Sequence, residues 1–221
     1  FINNNKKNFF YKKNYNSTKN LIDCINHFNS KIHFIFASSS NIFLKKKINK
    51  YTESDIFYEN DSYSRFRIKT YDYLKKLNLN GDFTYTNLIL FNHDSALRNN
   101  KFLLPRIVSA IKNNDQIFLN DIYKENIIRD FSHAEDICKA IYLLIKNKNY
   151  PDNLILSSSK KTKINSIINY LLHKYNNSIK ISSKPKNNTN YMIGDNKLAK
   201  KILNWRPMKN IFIAADEIYN K

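Results

Sequence analysis

The sequence predicts an α/β protein whose parallel sheet carries helices on both faces. Two short, nearly continuous apolar runs, at 32–37 and 83–91, are typical of strands buried on both sides. Segments with helical spacing of apolar residues alternate with such runs, as they do in parallel α/β sheets. With 221 residues, of which 42% are hydrophobic, the chain can bury one core and a small second lobe.

In the first half of the chain, the apolar pattern predicts two helices and two strands. The first helix follows a polar stretch at residues 1–14, and Ser17 or Thr18 can cap its first N–H groups. The predicted elements are a helix at 17–28, a strand at 32–37, a charged irregular loop at 44–62, a helix at 64–77 and a strand at 83–91.

The second half continues the alternation in shorter pieces. Pro105 is compatible with a helix because it lies in the first turn, where its missing N–H is not needed. The predicted elements are a polar loop at 92–95, a helix at 103–112, a strand at 116–119, a helix at 134–145, a strand at 153–156, a helix at 164–173, a strand at 179–181, and helices at 197–203 and 210–219.

The net charge of +19 comes from lysine rather than arginine. Of 37 basic residues only six are arginines, and asparagine is abundant along the whole chain. Nucleic-acid surfaces draw on arginine and concentrate their charge in a patch. We therefore interpret the composition as a bias toward A/T-rich codons and expect no specific nucleic-acid partner. A basic nucleic-acid-binding module is the alternative.

Neither the cysteines nor the apolar runs indicate a metal site or a membrane span. Cys24 and Cys138 lie in helix-like contexts without CxxC spacing, so reduced core thiols are expected. No run approaches the roughly 18 to 20 apolar residues of a membrane span. The polar start of the chain has no apolar signal region, which predicts a cytoplasmic protein.

Glycine occurs only at Gly81 and Gly194. A dinucleotide site uses a glycine-rich turn between a strand and a helix, because the backbone must approach the pyrophosphate closely. No such turn occurs in these 221 residues.

Four groups of residues, in order along the chain, carry a family resemblance. They are the strand end Phe34-Ile35-Phe36-Ala37-Ser38-Ser39-Ser40-Asn41 with Lys69, the stretch Phe91-Asn92-His93-Asp94-Ser95 with Arg98 and Phe102, the stretch at 129–136, and the tail at 194–207. Together they resemble the extended short-chain dehydrogenase/reductase family, also called the NAD-dependent epimerase/dehydratase family, and especially its GDP-mannose 4,6-dehydratases. The resemblance covers residues 15–220, and residue 1 corresponds to a point inside the family's nucleotide-binding domain.

This resemblance implies both a fold and a chemistry. The fold is a partial Rossmann-like parallel sheet from residues 1–92 and 133–158, plus a small C-terminal α/β substrate-binding lobe from 93–132 and 159–221. The implied cofactor is NADP, whose pyrophosphate turn lies outside these residues. The implied substrate is a nucleotide sugar like GDP-mannose, converted to GDP-4-dehydro-6-deoxymannose. A homo-oligomer is also implied.

Catalysis in this family uses a Ser or Thr at the strand end, a tyrosine, and a lysine four residues after the tyrosine. Ser39 and Lys69 match the first and last of these. The tyrosine position holds Arg65, which stays protonated and cannot act as a base. The position of the family's glutamate holds Asn41, which cannot accept a proton. Tyr63 is a substitute only if it precedes the helix and folds back, so we expect little or no activity.

The resemblance also assigns residues that bind ligands. The expected cofactor contacts are Ser38, Lys69 and His93, and the expected substrate contacts are Asn92, Arg98, Arg106 and Arg129. Each has a simpler alternative, such as a surface pair between Arg129 and Asp130 or a structural role for His93. The alternatives to a dehydratase are a non-catalytic relative that binds a nucleotide sugar or a subunit, and another NAD-dependent epimerase or dehydratase.

Overall fold

The computed structural model describes residues 4–28, 31–44, 48–81, 83–187 and 190–221. The chain packs as two compact units. The first unit comprises Phe1–Lys45, Thr52–Leu90 and Lys148–Ile155, and the second comprises Lys46–Tyr51, Phe91–Asn147 and Leu156–Lys221. The domain boundaries implied by the family resemblance stay a prediction.

Helices and strands alternate along the described residues. The helices are α1 (Asn4–Phe28), α2 (Ser62–Leu79), α3 (Leu103–Lys112), α4 (Gln116–Glu125), α5 (Ala134–Asn147), α6 (Ile164–Lys174), α7 (Lys197–Leu203) and α8 (Ile211–Tyr219). The strands are β1 (His33–Ser39), β2 (Ile48–Tyr51), β3 (Thr84–Leu90), β4 (Asn92–Asp94), β5 (Ile128–Arg129), β6 (Phe131–His133), β7 (Asn153–Leu156), β8 (Thr162–Lys163) and β9 (Tyr191–Gly194).

The first unit packs α1 and α2 with a sheet whose strand order is β1-β3-β7. Strands β1 and β3 are parallel, and Ser39 at the end of β1 lies opposite Leu90. The helices and these two strands share one apolar core, formed by Ile22, Phe36, Phe66, Leu74, Phe83 and Tyr85. This core fixes the position of the carboxyl end of β1 against α2.

The second unit has a mainly helical core. Helix α3 buries an apolar row at helical spacing, and α4, α6 and α8 pack against it. The central members of this core are Leu104, Ile107, Val108, Ile111, Leu119, Ile167, Ile168, Leu171 and Ile211. Three strand pairs complete the unit: β2 with β9 and β4 with β6 are parallel, and β5 with β8 is antiparallel.

The bounds of α3, β7 and α7 agree with their predictions, whereas α1 begins at Asn4 instead of Ser17. The rings of Tyr11 and Tyr15 stack one helical turn apart and pack against the core of the first unit. These contacts stabilise a helix within a stretch whose composition is polar. Tertiary packing therefore extends α1 beyond its apolar segment.

Two predicted strands were wrong. The predicted strand at 116–119 is the start of α4, because Asp115 caps the helix and Phe118, Leu119, Ile122 and Tyr123 recur at helical spacing against the core. The segment at 179–181 is extended but forms no ladder within the described residues. A side chain from α4 takes the place of a partner strand there, since Gln116 donates to the Lys180 carbonyl at 2.9 Å.

Two predicted loops contain strands that pair with distant segments. The loop at 44–62 includes β2, which pairs with β9 about 140 residues later, and residues 45–47 lie outside the described residues. The loop at 92–95 includes β4, which pairs with β6. Such pairings join segments far apart in the chain, so a local pattern does not reveal them.

The cysteines are free thiols, but the prediction that they lie in the core was wrong. Cys24 and Cys138 are both exposed, on the outer faces of α1 and α5. Of the helices in the described part of the chain, none has the length and apolar character needed to cross a membrane.

The Asp130 carboxylate holds several segments of the second unit together. Asp130 is fully buried, and it accepts hydrogen bonds from the backbone N–H groups of Ser158, Ser159 and Gly194 at 2.8–3.1 Å. The Ser158 hydroxyl donates a further bond at 2.5 Å. A buried carboxylate requires such donors, because its desolvation is costly.

We expect Asp130→Asn to lower the free energy of unfolding by about 2–4 kcal/mol, because an amide cannot accept from all four donors. Urea denaturation measures this change. The control is Asp121→Asn, at an exposed position of α4, which should change stability by less than about 0.5 kcal/mol. Equal effects of the two substitutions would contradict the assignment.

Candidate functional site

The carboxyl end of β1 presents two hydroxyl groups. Ser38 is buried, and its Oγ has no hydrogen-bond partner among the described residues. Ser39 is the last residue of the strand, and its Oγ accepts the Asn41 backbone N–H at 3.2 Å, which starts one turn of 3-10 helix. The hydroxyl proton of Ser39 can still be donated.

Asn41 ties the strand end to the start of α2. Its Nδ2 donates to Asp61 Oδ2 at 3.0 Å, and its carbonyl accepts from Asn60 Nδ2 at 2.7 Å. Asp61 is the N-cap of α2, and its Oδ1 accepts the Ser64 N–H at 2.7 Å. A carboxylate therefore lies beside the amide that occupies the family's glutamate position.

Helix α2 directs Tyr63 and Arg67 toward this strand end. The two residues are four apart, so their side chains lie on one face of the helix. One Arg67 nitrogen donates to Tyr63 Oη at 3.1 Å, and another donates to the carbonyl of Ala37, two residues before Ser39, at 2.5 Å. The guanidinium also lies 5.3 Å and 4.8 Å from the ring centres of Phe36 and Phe66. Arg67 thus holds a tyrosine hydroxyl near the strand end.

Arg65 and Lys69 contact Glu59 instead. Lys69 Nζ lies 3.8 Å from Glu59 Oε1, and Arg65 Nε lies 3.6 Å from Glu59 Oε2. Tyr63 lies within the first turn of α2 rather than before it. The catalytic role of Lys69 stays a prediction. The sequence analysis overlooked Arg67, although the four-residue spacing from Tyr63 to Arg67 was a visible signal.

In the second unit, β4 and β6 bring two of the family-like stretches side by side. Asn92 lies opposite Phe131, and Asn92 Nδ2 donates to the Asp130 carbonyl at 3.2 Å. His93 Nδ1 lies 2.9 Å from the Phe91 carbonyl. Because a carbonyl only accepts, Nδ1 carries the proton and Nε2 can accept a hydrogen bond. Burial lowers the pKa of His93, which favours the neutral ring.

Asp94 and Arg98 form an ion pair next to these residues. Arg98 Nε lies 3.1 Å from Asp94 Oδ1, and the guanidinium lies 3.6 Å from the Phe102 ring centre. Burial raises the pKa of Asp94 to about 6, although the charge of Arg98 opposes this change. Arg98 is thus held by partners of its own unit.

Arg106 and Arg129 are both exposed. The Arg106 guanidinium lies 4.7 Å from the Phe118 ring centre, and Arg129 donates to the Ile128 carbonyl at 2.9 Å. The alternative of a surface pair between Arg129 and Asp130 was wrong, because the Asp130 carboxylate is buried and bonded to other donors.

Other residues of the family-like stretches stabilise the second unit. His133 Nε2 donates to Glu217 at 3.0 Å, and its Nδ1 accepts the Glu135 N–H at 3.2 Å, which fits the structural role expected for it. The Asp136 carbonyl accepts from the buried Trp205 indole at 2.9 Å. These contacts join the start of α5 to the tail of the chain.

Comparison with protein families gives a match over residues 5–216, to the family described as GDP-mannose 4,6 dehydratase. The chain belongs to this family. The predicted membership of the NAD-dependent epimerase/dehydratase group is therefore confirmed. By sequence, none of the curated proteins compared matches this chain.

Solved structures of similar fold confirm the Rossmann-like α/β class. RMD from Pseudomonas aeruginosa, complexed with NADPH, has a TM-score of 0.80 at 16% identity, with 94% of this chain and 72% of that chain covered. UDP-glucose 4-epimerase from Thermotoga maritima, with UDP-glucose, has a TM-score of 0.80 at 16% identity, with 98% and 71% covered. UDP-glucuronic acid 4-epimerase from Bacillus cereus, with NAD, has a TM-score of 0.77 at 15% identity, with 92% and 65% covered.

Asp94 predicts a pH-dependent contribution to stability. Its folded pKa of about 6 exceeds the unfolded value of about 3.9, so the folded state binds this proton more tightly. The contribution is complete below pH of about 4 and is lost as pH rises through about 6. Urea denaturation from pH 4 to 7 should show the stability difference between wild type and Asp94→Asn falling by about 2–3 kcal/mol. A constant difference would contradict the assignment, and Asp121→Asn should follow wild type.

Proposed function

We propose that this chain takes part in the NAD(P)-dependent conversion of a nucleotide sugar, with GDP-mannose as substrate and 4,6-dehydration as the reaction. The observation that carries the proposal is the Tyr63–Arg67 pair at the end of β1. Family membership supports the reaction class. Neighbours of similar fold solved with NADPH, NAD or UDP-glucose support a nicotinamide dinucleotide and a nucleotide sugar as ligands.

The end of β1 fits the nicotinamide end of such a cofactor. The buried Ser38 hydroxyl has no hydrogen-bond partner among the described residues, so a bound group can satisfy it. When bound, the nicotinamide takes a hydride from the sugar and returns it. NADP, with Lys69 and His93 as further contacts, is the proposed form of the cofactor.

Tyr63 is proposed to exchange the proton of the reacting sugar hydroxyl. Arg67 holds the Tyr63 oxygen and places a lasting positive charge beside it, because arginine does not deprotonate near neutral pH. Ser39 is proposed to donate its hydroxyl proton to the same sugar oxygen, while its own oxygen accepts from the Asn41 backbone. These three side chains supply a base, a fixed charge and a hydrogen-bond donor.

Arg129 is the proposed contact for the diphosphate. Its guanidinium is exposed and carries five N–H donors, and its fork matches two phosphate oxygens at once. Asn92 and Arg106 are proposed as additional contacts to the nucleotide sugar. No acidic partner competes for Arg129 among its described hydrogen bonds, which go to the Ile128 carbonyl.

A second candidate is conversion of the nucleotide sugar without loss of water, as in an epimerase. The Asn41 amide favours this candidate, since it cannot accept the proton that elimination releases. The carboxylate that lies near it is Asp61, at 3.0 Å, and dehydration at this site would have to use that group. Analysis of the product distinguishes the two, because dehydration yields GDP-4-dehydro-6-deoxymannose and epimerisation yields a sugar of unchanged mass.

Tyr63→Phe and Arg67→Gln should each lower turnover of GDP-mannose with added NADP by about 10²–10⁴-fold, as expected for loss of a general acid–base group. Lys69→Gln should stay within about threefold of wild type, because Lys69 contacts Glu59. Product formation measured by chromatography checks the set. A loss confined to Lys69→Gln would support the sequence-based assignment. No turnover by the wild-type protein would support a non-catalytic relative.

Arg129→Gln should weaken GDP-mannose binding by about tenfold or more, because a two-point contact to the diphosphate is lost. Isothermal titration calorimetry measures this effect without turnover. Arg206→Gln is the matched control, since Arg206 is also an exposed arginine of the second unit. Equal affinities of the two variants would argue against the diphosphate contact, and tighter binding of UDP-glucose would argue against GDP-mannose.

A further inference from the structure

A cleft of about 330 Å³ opens beside α3 in the second unit. Its walls come from the loop after β4, from α3, and from the end of α8. The described lining residues are Ala96, Arg98, Asn100, Pro105, Val108, Ser109, Lys112, Asn113, Ile218 and Lys221. Neither Asn92 nor Arg129 is among them, so the cleft is distinct from the residues proposed to hold the nucleotide sugar.

The lining of this cleft is strongly cationic. Three of its ten described residues, Arg98, Lys112 and Lys221, are positively charged, whereas 37 of 221 residues in the whole chain are basic. None of the ten carries a carboxylate. Like charges around one cleft repel each other, and an anion bound between them removes that repulsion.

Contacts within the second unit position the three cations. Lys221 Nζ donates to the Ala96 carbonyl at 3.1 Å, which joins two walls of the cleft. Lys112 Nζ lies 5.3 Å from the Tyr219 ring centre, and Arg98 is held by Asp94 and Phe102. Each ammonium group has three N–H donors, so these contacts leave donors for a ligand.

The neutral part of the lining suits a small organic anion. Asn113 Nδ2 donates to Ser109 Oγ at 3.2 Å, and both groups line the cleft together with Asn100. Apolar surface from Val108 and Ile218 completes the lining. The volume lies at the lower end of the range of about 300–1,000 Å³ that is typical of small-molecule sites.

A second cleft of about 200 Å³ lies along the same helix and shares Asn100, Ser109 and Asn113 with the first. It adds the exposed Arg106, whose guanidinium is held over Phe118. The cationic surface therefore extends over more than one phosphate group's width.

We propose that the cleft at Arg98, Lys112 and Lys221 binds a phosphate-bearing small molecule, at a site separate from the proposed nucleotide-sugar residues. The cations supply charge and hydrogen bonds to phosphate oxygens, and the Ser109 and Asn113 side chains supply neutral hydrogen bonds. This proposal does not depend on the proposed enzymatic function.

Calorimetry with inorganic pyrophosphate, at constant ionic strength, tests the site. Wild type should bind with saturation, and the double substitution Lys112→Gln with Lys221→Gln should weaken binding by about tenfold or more. Both lysines are exposed, so the variant should fold, which circular dichroism verifies. The control Lys201→Gln, at an exposed position of α7, removes one charge outside the cleft and should retain affinity.

Three outcomes would overturn the proposal. They are no saturable binding by wild type, an equal loss in the Lys201→Gln control, and a loss in Arg129→Gln that leaves the double variant unaffected. The last result would place pyrophosphate at the proposed nucleotide-sugar residues instead. Arg98→Lys, which keeps the charge but not the fork, should weaken binding less than the double variant.

Discussion

The second unit depends on the requirement that a buried carboxylate be fully hydrogen-bonded. Asp130 has no exposed surface, and it gathers backbone donors from Ser158, Ser159 and Gly194. An unpaired buried charge would cost more free energy than a domain of this size can spare. The chain must therefore bring these segments together, and the same arrangement places Arg129, the preceding residue, at the surface.

In the first unit, the starting point of α2 decides which side chains face the end of β1. Asp61 caps the helix and also accepts from Asn41 at the strand end. With about 100° of rotation per residue, a shift of two positions turns a side chain to nearly the opposite face. Tyr63 and Arg67 accordingly meet the strand, whereas Arg65 and Lys69 face Glu59.

Predictions from local patterns succeeded where packing agrees with them and failed where distant segments decide. The apolar row of α3 specifies a helix with the predicted bounds, because its buried positions recur at helical spacing. The strand β2 was overlooked because its partner, β9, lies far along the chain. The segment at 116–119 was wrong because four residues cannot distinguish a strand from the first turn of α4.

By itself, the sequence determined the fold class and the family, because these depend on the order of apolar segments and on motifs that are local in the chain. It also located the hydroxyl groups that follow β1 and the exposed Arg129. Only the tertiary structure decided which cation meets Tyr63, which carboxylate lies beside Asn41, and that Arg98, Lys112 and Lys221 share one cleft. These are contacts between elements, and they depend on helix rotation and packing rather than on spacing alone.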